Sequence, residues 1–198
     1  MRHIYFKPII NEIPTNAKVL DLGCGDGTLL AQLIAKKKVN AYGIDIDFNN
    51  IIACIDKHIS VYQSNIDKGL PEFTDQSFDY VIFSQTLQEI RNPILVISEI
   101  LRVGKKGIIT FPNFAHWRSR LQVLFGNTPK TRLLPYDWFE SPNIRFLTIN
   151  DFQRLCELHN VRIIKQTAVY KTPFINKLIP FKWANLLAEK AMFVIERS

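Results

Sequence analysis

Short apolar runs alternate with amphipathic stretches along the first half of the chain. Five runs are rich in β-branched and aliphatic residues and have the length of strands: residues 18–22, 39–44, 59–62, 78–83 and 107–111. Apolar residues at helical spacing follow the first, second and fourth of these runs. Strands that alternate with helices in this way predict βαβ units and a mostly parallel sheet, and right-handed crossovers then place helices on both faces.

The end of the chain continues this pattern. Thr148 and Asp151 predict the start of another helix, because Thr148 can cap it and Asp151 suits its first turn. Residues 161–170 and 191–196 are two closing strands, which bring the predicted sheet to seven strands. The predicted fold class is therefore α/β, Rossmann-like and doubly wound, and a length of 198 residues suits one domain over residues 1–198.

Two segments interrupt the regular alternation. Residues 113–147 begin with an amphipathic helix, predicted at 116–125, and continue as a stretch rich in proline and aromatic residues without a clear period. A loop of this length in a compact domain is usually functional, and its aromatic content argues against disorder. We interpret residues 113–147 as an aromatic lid or a partner-binding insertion, and residues 171–190 as a second insertion.

Charge and cysteine content restrict the function classes. The net charge is +7, but the basic residues are scattered and the short run 36–38 is typical of a solvated face, so we do not expect nucleic-acid binding. Cys24, Cys54 and Cys156 are far apart and odd in number, which favours reduced thiols and predicts neither a disulfide framework nor a metal site. The chain has no signal-peptide pattern and no apolar run of the roughly 20 residues that a membrane span needs, so we expect a cytoplasmic protein.

The motif that carries chemistry runs from Asp21 to Gly27, directly after the first predicted strand. Its glycines allow a sharp turn and bring backbone N–H groups close to a ligand. Asp21 suits a cationic amino group better than a pyrophosphate, which favours an amino-acid-bearing nucleotide over NAD. Asp45 ends the second strand about 20 residues further on, where a carboxylate can accept hydrogen bonds from both hydroxyls of a ribose. The alternative is a tight turn that binds nothing, beside a surface aspartate.

Several segments resemble a known protein family. Residues 20–27, 43–45 and 77–81 are similar to the landmark segments of class I S-adenosylmethionine-dependent methyltransferases. A closer resemblance, to the MetW family of methionine biosynthesis proteins, rests on five further segments: residues 84–88, 111–114, 116–118, 134–136 and 148–152. The resemblance implies the class I methyltransferase fold, S-adenosylmethionine or S-adenosylhomocysteine as ligand, and homoserine O-acyltransferase as partner. It implies no methyl acceptor.

The predicted cofactor-binding residues follow from the motif and the resemblance together. Asn65 follows the third strand, where the resemblance implies a polar residue that addresses the adenine, whereas Asp67 can be a turn residue. The full predicted set is Asp21, Gly23, Cys24, Gly25, Gly27, Asp45, Ile46, Asn65, Ile66 and Ser84.

Candidates for a catalytic base are few. Many small-molecule members of the superfamily place a histidine after the fourth strand, where this chain has Gln85, Gln88 and Glu89. Glutamine cannot take a proton at neutral pH, so Glu89 is one candidate base, with a solvated capping residue as the alternative. His116 is the other candidate, with a histidine packed under the aromatic loop as its alternative.

Two functions remain open at this point. An accessory or regulatory subunit would bind the cofactor and engage the acyltransferase through residues 116–146, and the lack of a G-x-S-x-G nucleophile motif is consistent with a partner that performs acyl transfer. A small-molecule methyltransferase would instead use residues 113–147 as a substrate lid. Methyl transfer from a sulfonium can depend on positioning alone, so a missing base does not exclude it.

Overall fold

Seven strands in one mixed sheet form the centre of the molecule. The computed structural model describes residues 3–170 and 180–198. The strands are β1 (Lys18–Leu22), β2 (Asn40–Asp45), β3 (Ser60–Gln63), β4 (Phe78–Ser84), β5 (Gly104–Pro112), β6 (Val161–Val169) and β7 (Lys190–Arg197). The helices are α1 (His3–Glu12), α2 (Thr28–Lys37), α3 (Phe48–Asp56), α4 (Pro93–Val103), α5 (Trp117–Leu124), α6 (Ile149–Leu158) and α7 (Ala184–Leu187).

The strand order is β3-β2-β1-β4-β5-β7-β6, and β7 runs antiparallel to both of its neighbours. All other neighbouring pairs are parallel. The predicted mostly parallel sheet of seven strands is therefore confirmed. Because the carboxyl ends of parallel strands meet at one edge, Asp21, Asp45 and Ser84 are brought to the same edge of the sheet.

Alternate residues of the central strands feed two apolar cores, one on each face. Val19 and Ile82 belong to the core that contains the apolar side chains of α1 and α2. Leu20 and Val81, one position along each strand, belong to the core formed with α4 and α6. This period of two is what a sheet buried on both faces requires, and it confirms helices on both faces.

Helix α1 was not predicted from the sequence. Ile9, Ile10 and Ile13 are buried in the core beneath it, at the spacing of three and four that defines one helical face. The signal is short, and Pro8 lies within it, which normally disfavours the helix interior.

The segment after β5 contains the predicted helix, α5, followed by residues 126–147 without helix or strand. The apolar side of α5 is turned to solvent: Leu121 and Leu124 are exposed, and the buried side chain of this helix is Ser119. Of the predicted second insertion, residues 171–179 lie outside the described residues, and the rest contains α7. No helix within the described ranges has the length and apolar character to cross a membrane.

Candidate cofactor site

The glycine loop is fixed by its attachment to β2 and by three left-handed residues. The N–H groups of Gly23 and Cys24 both donate to the carbonyl of Ile44, at 2.8 and 2.9 Å. Gly23, Gly25 and Gly27 have φ angles of 71°, 55° and 74°, which L side chains rarely adopt. The loop therefore crosses over the ends of β1 and β2.

The three glycines differ in what surrounds them. A Cβ on Gly23 would lie 2.7 Å from Oγ1 of Thr86, and one on Gly27 would lie 2.9 Å from Sγ of Cys54. These two positions need glycine because protein atoms pack against them. A Cβ on Gly25 would meet nothing within 4 Å, so this glycine borders open space, as the backbone of a ligand cradle does.

Asp45 is buried and already holds three hydrogen bonds. Its Oδ2 accepts from the N–H of Gly25 at 2.8 Å, and its Oδ1 accepts from the N–H of Asp47 at 2.9 Å and from Nδ2 of Asn50 at 3.1 Å. A carboxylate has about four acceptor positions, so about one remains, on Oδ2. To bind both hydroxyls of a ribose, Asp45 must therefore release one of these donors.

Asp21 is 2% exposed, and its Oδ1 has no hydrogen-bond partner in the described part of the chain. Burial, followed by repulsion from Asp45, raises the pKa of Asp21 to about 8. A buried acceptor without a donor costs free energy, and a cationic amino group would supply the donor and favour the ionised form. The residues present thus fit the amino-acid part of an adenosyl amino acid.

The remaining predicted residues lie around the same edge. Ile46 follows Asp45 and is 64% exposed, which leaves an apolar surface beside the loop. Asn65 uses its Oδ1 to accept from the N–H of Asp67, at the start of the helical turn Ile66–Lys68. Ser84 shares a hydrogen bond of 2.9 Å with Oγ1 of Thr110, so its hydroxyl is held by β5.

Asp67 has a structural role. Its Oδ1 accepts from the N–H groups of Arg91 and Asn92, and these bonds attach the turn after β3 to the start of α4. This arrangement agrees with the interpretation of Asp67 as a turn residue.

Three further residues shape the site and were not predicted from the sequence. Thr86 packs against Gly23, Asn50 donates to Asp45, and Cys54 lies with its Sγ 3.3 Å from the carbonyl oxygen of Gly25. Asn50 and Cys54 stand on α3, directly after the strand that ends in Asp45. The position of α3 next to the loop is the only signal that could have indicated them.

The two candidate bases occupy different surroundings. The Glu89 side chain is exposed, yet desolvation of its carboxyl group raises its pKa, and repulsion from Asp45 adds to this effect. His116 is buried at the start of α5, where its Nδ1 accepts from the N–H of Arg118 at 3.4 Å, and desolvation lowers its pKa. Glu89 is therefore within electrostatic reach of the predicted cofactor site, whereas the acidic residue that acts on His116 is Glu189.

The fold is that of class I S-adenosylmethionine-dependent methyltransferases. A SAM-dependent methyltransferase from Archaeoglobus fulgidus superposes with a TM-score of 0.70 at 16% identity, over 100% of this chain and 95% of that one. A chain from the complex between the Haloferax volcanii Trm112 methyltransferase activator and a methyltransferase superposes with a TM-score of 0.69 at 14% identity, over 98% of this chain and 90% of that one.

The match to one family is more specific. Residues 4–195 match the family of the methionine biosynthesis protein MetW, and the chain belongs to that family. The bifunctional methionine biosynthesis protein MetXA/MetW of Rhodopirellula baltica is 35% identical over 96% of this chain. An ubiquinone biosynthesis O-methyltransferase of Hahella chejuensis is 30% identical over 48% of it. The chain spans 32% of the length of the first relative, and the alignment spans 41% of the second.

Proposed function

We propose that this chain binds S-adenosylmethionine or S-adenosylhomocysteine at the glycine loop and acts as an accessory, regulatory partner of homoserine O-acyltransferase in the cytoplasm. The observation that carries the proposal is the relative in which MetXA and MetW are parts of one bifunctional chain. Two activities joined in one chain are held together permanently. We expect the corresponding domains to associate also where they are separate chains. The acyltransferase would supply the acyl-transfer chemistry.

The surface that supports a partner role is formed by α5 and the residues after it. We call it the aromatic surface, and its exposed members are Trp117, Leu121, Leu124, Phe125, Tyr136, Trp138, Phe139, Ile144 and Phe146. Trp138 and Leu124 are each 75% exposed. Large exposed apolar patches mark interaction sites, and aromatic residues are enriched in protein interfaces. A lid over a small substrate would instead turn these side chains inward.

Hydrogen bonds attach the aromatic surface to the turn beside the cofactor site. The N–H groups of Ile144 and Arg145 both donate to the carbonyl of Gln88, and Nε of Arg145 donates to the carbonyl of Ile90. These acceptors flank Glu89, whose carboxyl group responds to the charge of Asp45. The geometry therefore offers a short connection through which a ligand can influence the partner surface.

Cofactor binding is tested by calorimetric titration of the purified chain with S-adenosylmethionine and then with S-adenosylhomocysteine. We expect micromolar binding that is lost in Asp45→Ala. The matched control is Asp56→Ala, a change of the same kind at the end of α3. Absence of binding at millimolar ligand would refute the cofactor part of the proposal.

Partner binding is tested with purified homoserine O-acyltransferase. We expect capture by the wild-type chain, and loss of capture in the double variant Trp138→Ala and Phe139→Ala. Leu158→Ala, an equally exposed apolar residue on α6, should capture the partner normally. Acyltransferase activity and partner affinity are then measured with and without S-adenosylmethionine. If neither capture nor activity depends on the aromatic surface, the partner role is wrong.

A second candidate function is methyl transfer to a small molecule, favoured by the position of Glu89 within reach of the charge of Asp45. A carboxyl group with a raised pKa beside the cofactor can exchange a proton with an acceptor. Incubation with methyl-labelled S-adenosylmethionine and a cell extract should yield a labelled product, less in Glu89→Gln. An extract without labelled product would count against an enzyme.

A further inference from the structure

A cavity of about 420 Å³ lies on the other side of the β5 end from the glycine loop. Its walls are Pro112 at the end of β5, the first turn of α5, residues 130–135, and Glu189 next to β7. The glycine loop follows β1, and β4 separates β1 from β5 in the sheet. With neighbouring strands about 4.8 Å apart, the ends of β1 and β5 are about 10 Å apart along this edge.

The wall of the cavity includes a buried hydroxyl group that bonds to none of the described residues. Ser119 lines it and is 1% exposed, and its Oγ has no hydrogen-bond partner among the residues that the structure describes. Serine inside a helix usually bonds to a backbone carbonyl of the preceding turn or points into solvent, and Ser119 does neither. A buried hydroxyl that bonds to nothing costs free energy, and a ligand in the cavity would remove that cost.

Positive charge predominates around Ser119. Arg118, Lys130 and Arg132 line the cavity together with one carboxylate, that of Glu189. Lys130 is engaged by Asp137 at 2.7 Å, and Arg132 lies 3.9 Å from Glu189. No carboxylate within the described ranges lies within 4.0 Å of Arg118, whose guanidinium lies over the ring of Trp117. A stacked guanidinium keeps its N–H groups free to bind an anion.

His116 adds a neutral donor to this set. Its Nδ1 accepts the N–H of Arg118, so the proton of the neutral ring is assigned to Nε2. Desolvation lowers the pKa of His116, which keeps the ring neutral at physiological pH. Leu133, Leu134 and Pro135 supply an apolar wall opposite the polar groups.

We propose that this cavity is a second binding site, for a small carboxylate with a short apolar stem. The planar guanidinium of Arg118 matches the two oxygens of a carboxylate, and Oγ of Ser119 donates to one of them. The stem lies against the leucine and proline side chains. This site does not depend on the adenosyl ligand, so it stands or falls separately from the proposed function.

The test uses the full chain, labelled with ¹⁵N, without adenosyl ligand. Butyrate is titrated as the probe, its neutral isostere butyramide as the matched ligand, and inorganic phosphate as the second anion. We expect butyrate to cause saturable changes in the NMR chemical shifts of backbone amides, centred on Arg118 and Ser119. Butyramide should cause none. Loss of a charge-assisted hydrogen bond should weaken butyrate on the order of tenfold in Arg118→Gln and less in Ser119→Ala.

Two further variants make the result specific. Arg154→Gln removes the same charge from an exposed position on α6 and should bind butyrate normally. Arg118→Lys keeps the charge but not the planar fork and should bind with intermediate affinity. Equal shifts with butyramide, tighter binding of phosphate, or unchanged affinity in Arg118→Gln would each overturn the proposal.

Discussion

Asp21 is the residue at which the stability of this chain and its proposed ligand binding oppose each other. Replacing it with asparagine keeps the shape of the side chain and removes the charge. We expect Asp21→Asn to be more stable than the wild type at neutral and alkaline pH, and to lose affinity for S-adenosylmethionine. The stability expectation follows because burial disfavours the charged form of the Asp21 carboxyl group. The binding expectation follows because its Oδ1 has no partner among the described residues and can accept from the amino group of the ligand.

The sign and size follow from the raised pKa of Asp21. Between the unfolded value of 3.8 and the folded value of about 8, the folded chain keeps a proton that the unfolded chain releases, so stability falls as the pH rises. At about 1.4 kcal/mol per pH unit, Asp21 lowers the free energy of unfolding of the wild type by about 2 kcal/mol near pH 5 and by roughly 5 kcal/mol near pH 8. The buried amide of the variant costs about 1–3 kcal/mol at every pH. The two chains should therefore be similar near pH 5, and the variant more stable by a few kcal/mol near pH 8.

The assay is urea unfolding of both chains at several values between pH 5 and pH 8. Asp45, whose charge acts on Asp21, is present in both proteins. Asp79→Asn provides a control of opposite sign, because Lys105 lowers the pKa of Asp79 and its replacement should destabilise the chain above the unfolded pKa. A constant difference between Asp21→Asn and the wild type across this range, or a less stable variant at pH 8, would refute the reasoning.

Two further predictions concern local geometry. Gly25→Ala should fold, with a free energy of unfolding lower by about 1–2 kcal/mol because of its left-handed φ, and it should bind S-adenosylmethionine more weakly. Gly23→Ala should lose more stability, because its Cβ would collide with Thr86. Urea unfolding of the two variants measures this difference. Thr148→Ala should destabilise the chain by about 1 kcal/mol, since Oγ1 of Thr148 caps α6 by accepting from the N–H of Asp151, and Thr148→Ser should restore most of the loss in thermal unfolding.

Much of the fold could be predicted because its central strands, β1, β4 and β5, are buried on both faces. Such strands are continuous apolar runs with little ambiguity, and β1 has the predicted bounds. Gly104 follows α4 directly and is the residue at which β5 begins, with extended backbone. A Cβ there would lie 2.5 Å from Cγ2 of Val81, so the glycine is required by strand packing and not by a left-handed turn.

Other features depend on contacts that no local pattern contains. The period of α5 predicts an apolar side but not its direction. In the structure that side faces solvent, and Ser119 is buried at the cavity. Lys190 is 1% exposed within β7, where burial lowers its pKa to about 7, although a lysine at the end of a run normally suggests a solvated boundary. The hydrogen bonds that occupy most acceptor positions of the Asp45 carboxylate could not be predicted either, because Asn50 approaches it only through the packing of α3.

The resemblance to the MetW family rests partly on residues whose roles are structural. Asn113, in the segment 111–114, donates through Nδ2 to the carbonyls of Asn185 and Ala188 and so joins the end of β5 to α7. Thr148 caps α6. These residues fix the frame in which the cavity and the aromatic surface stand, and they do not contact the glycine loop in any described hydrogen bond.

The turn Leu87–Glu89 is the element on which the two candidate functions differ. Gln88 is buried, its Nε2 donates to the carbonyl of Gln85, and its own carbonyl accepts from the N–H groups of Ile144 and Arg145. A regulatory partner requires this turn to take up two positions, one for each state of the adenosyl site, since a ligand that binds both states equally shifts neither. An enzyme requires the opposite, because a base at Glu89 must be held in one position relative to the methyl acceptor. Reciprocity then separates them: if the ligand changes the affinity for the acyltransferase, the acyltransferase must change the affinity for the ligand by the same factor.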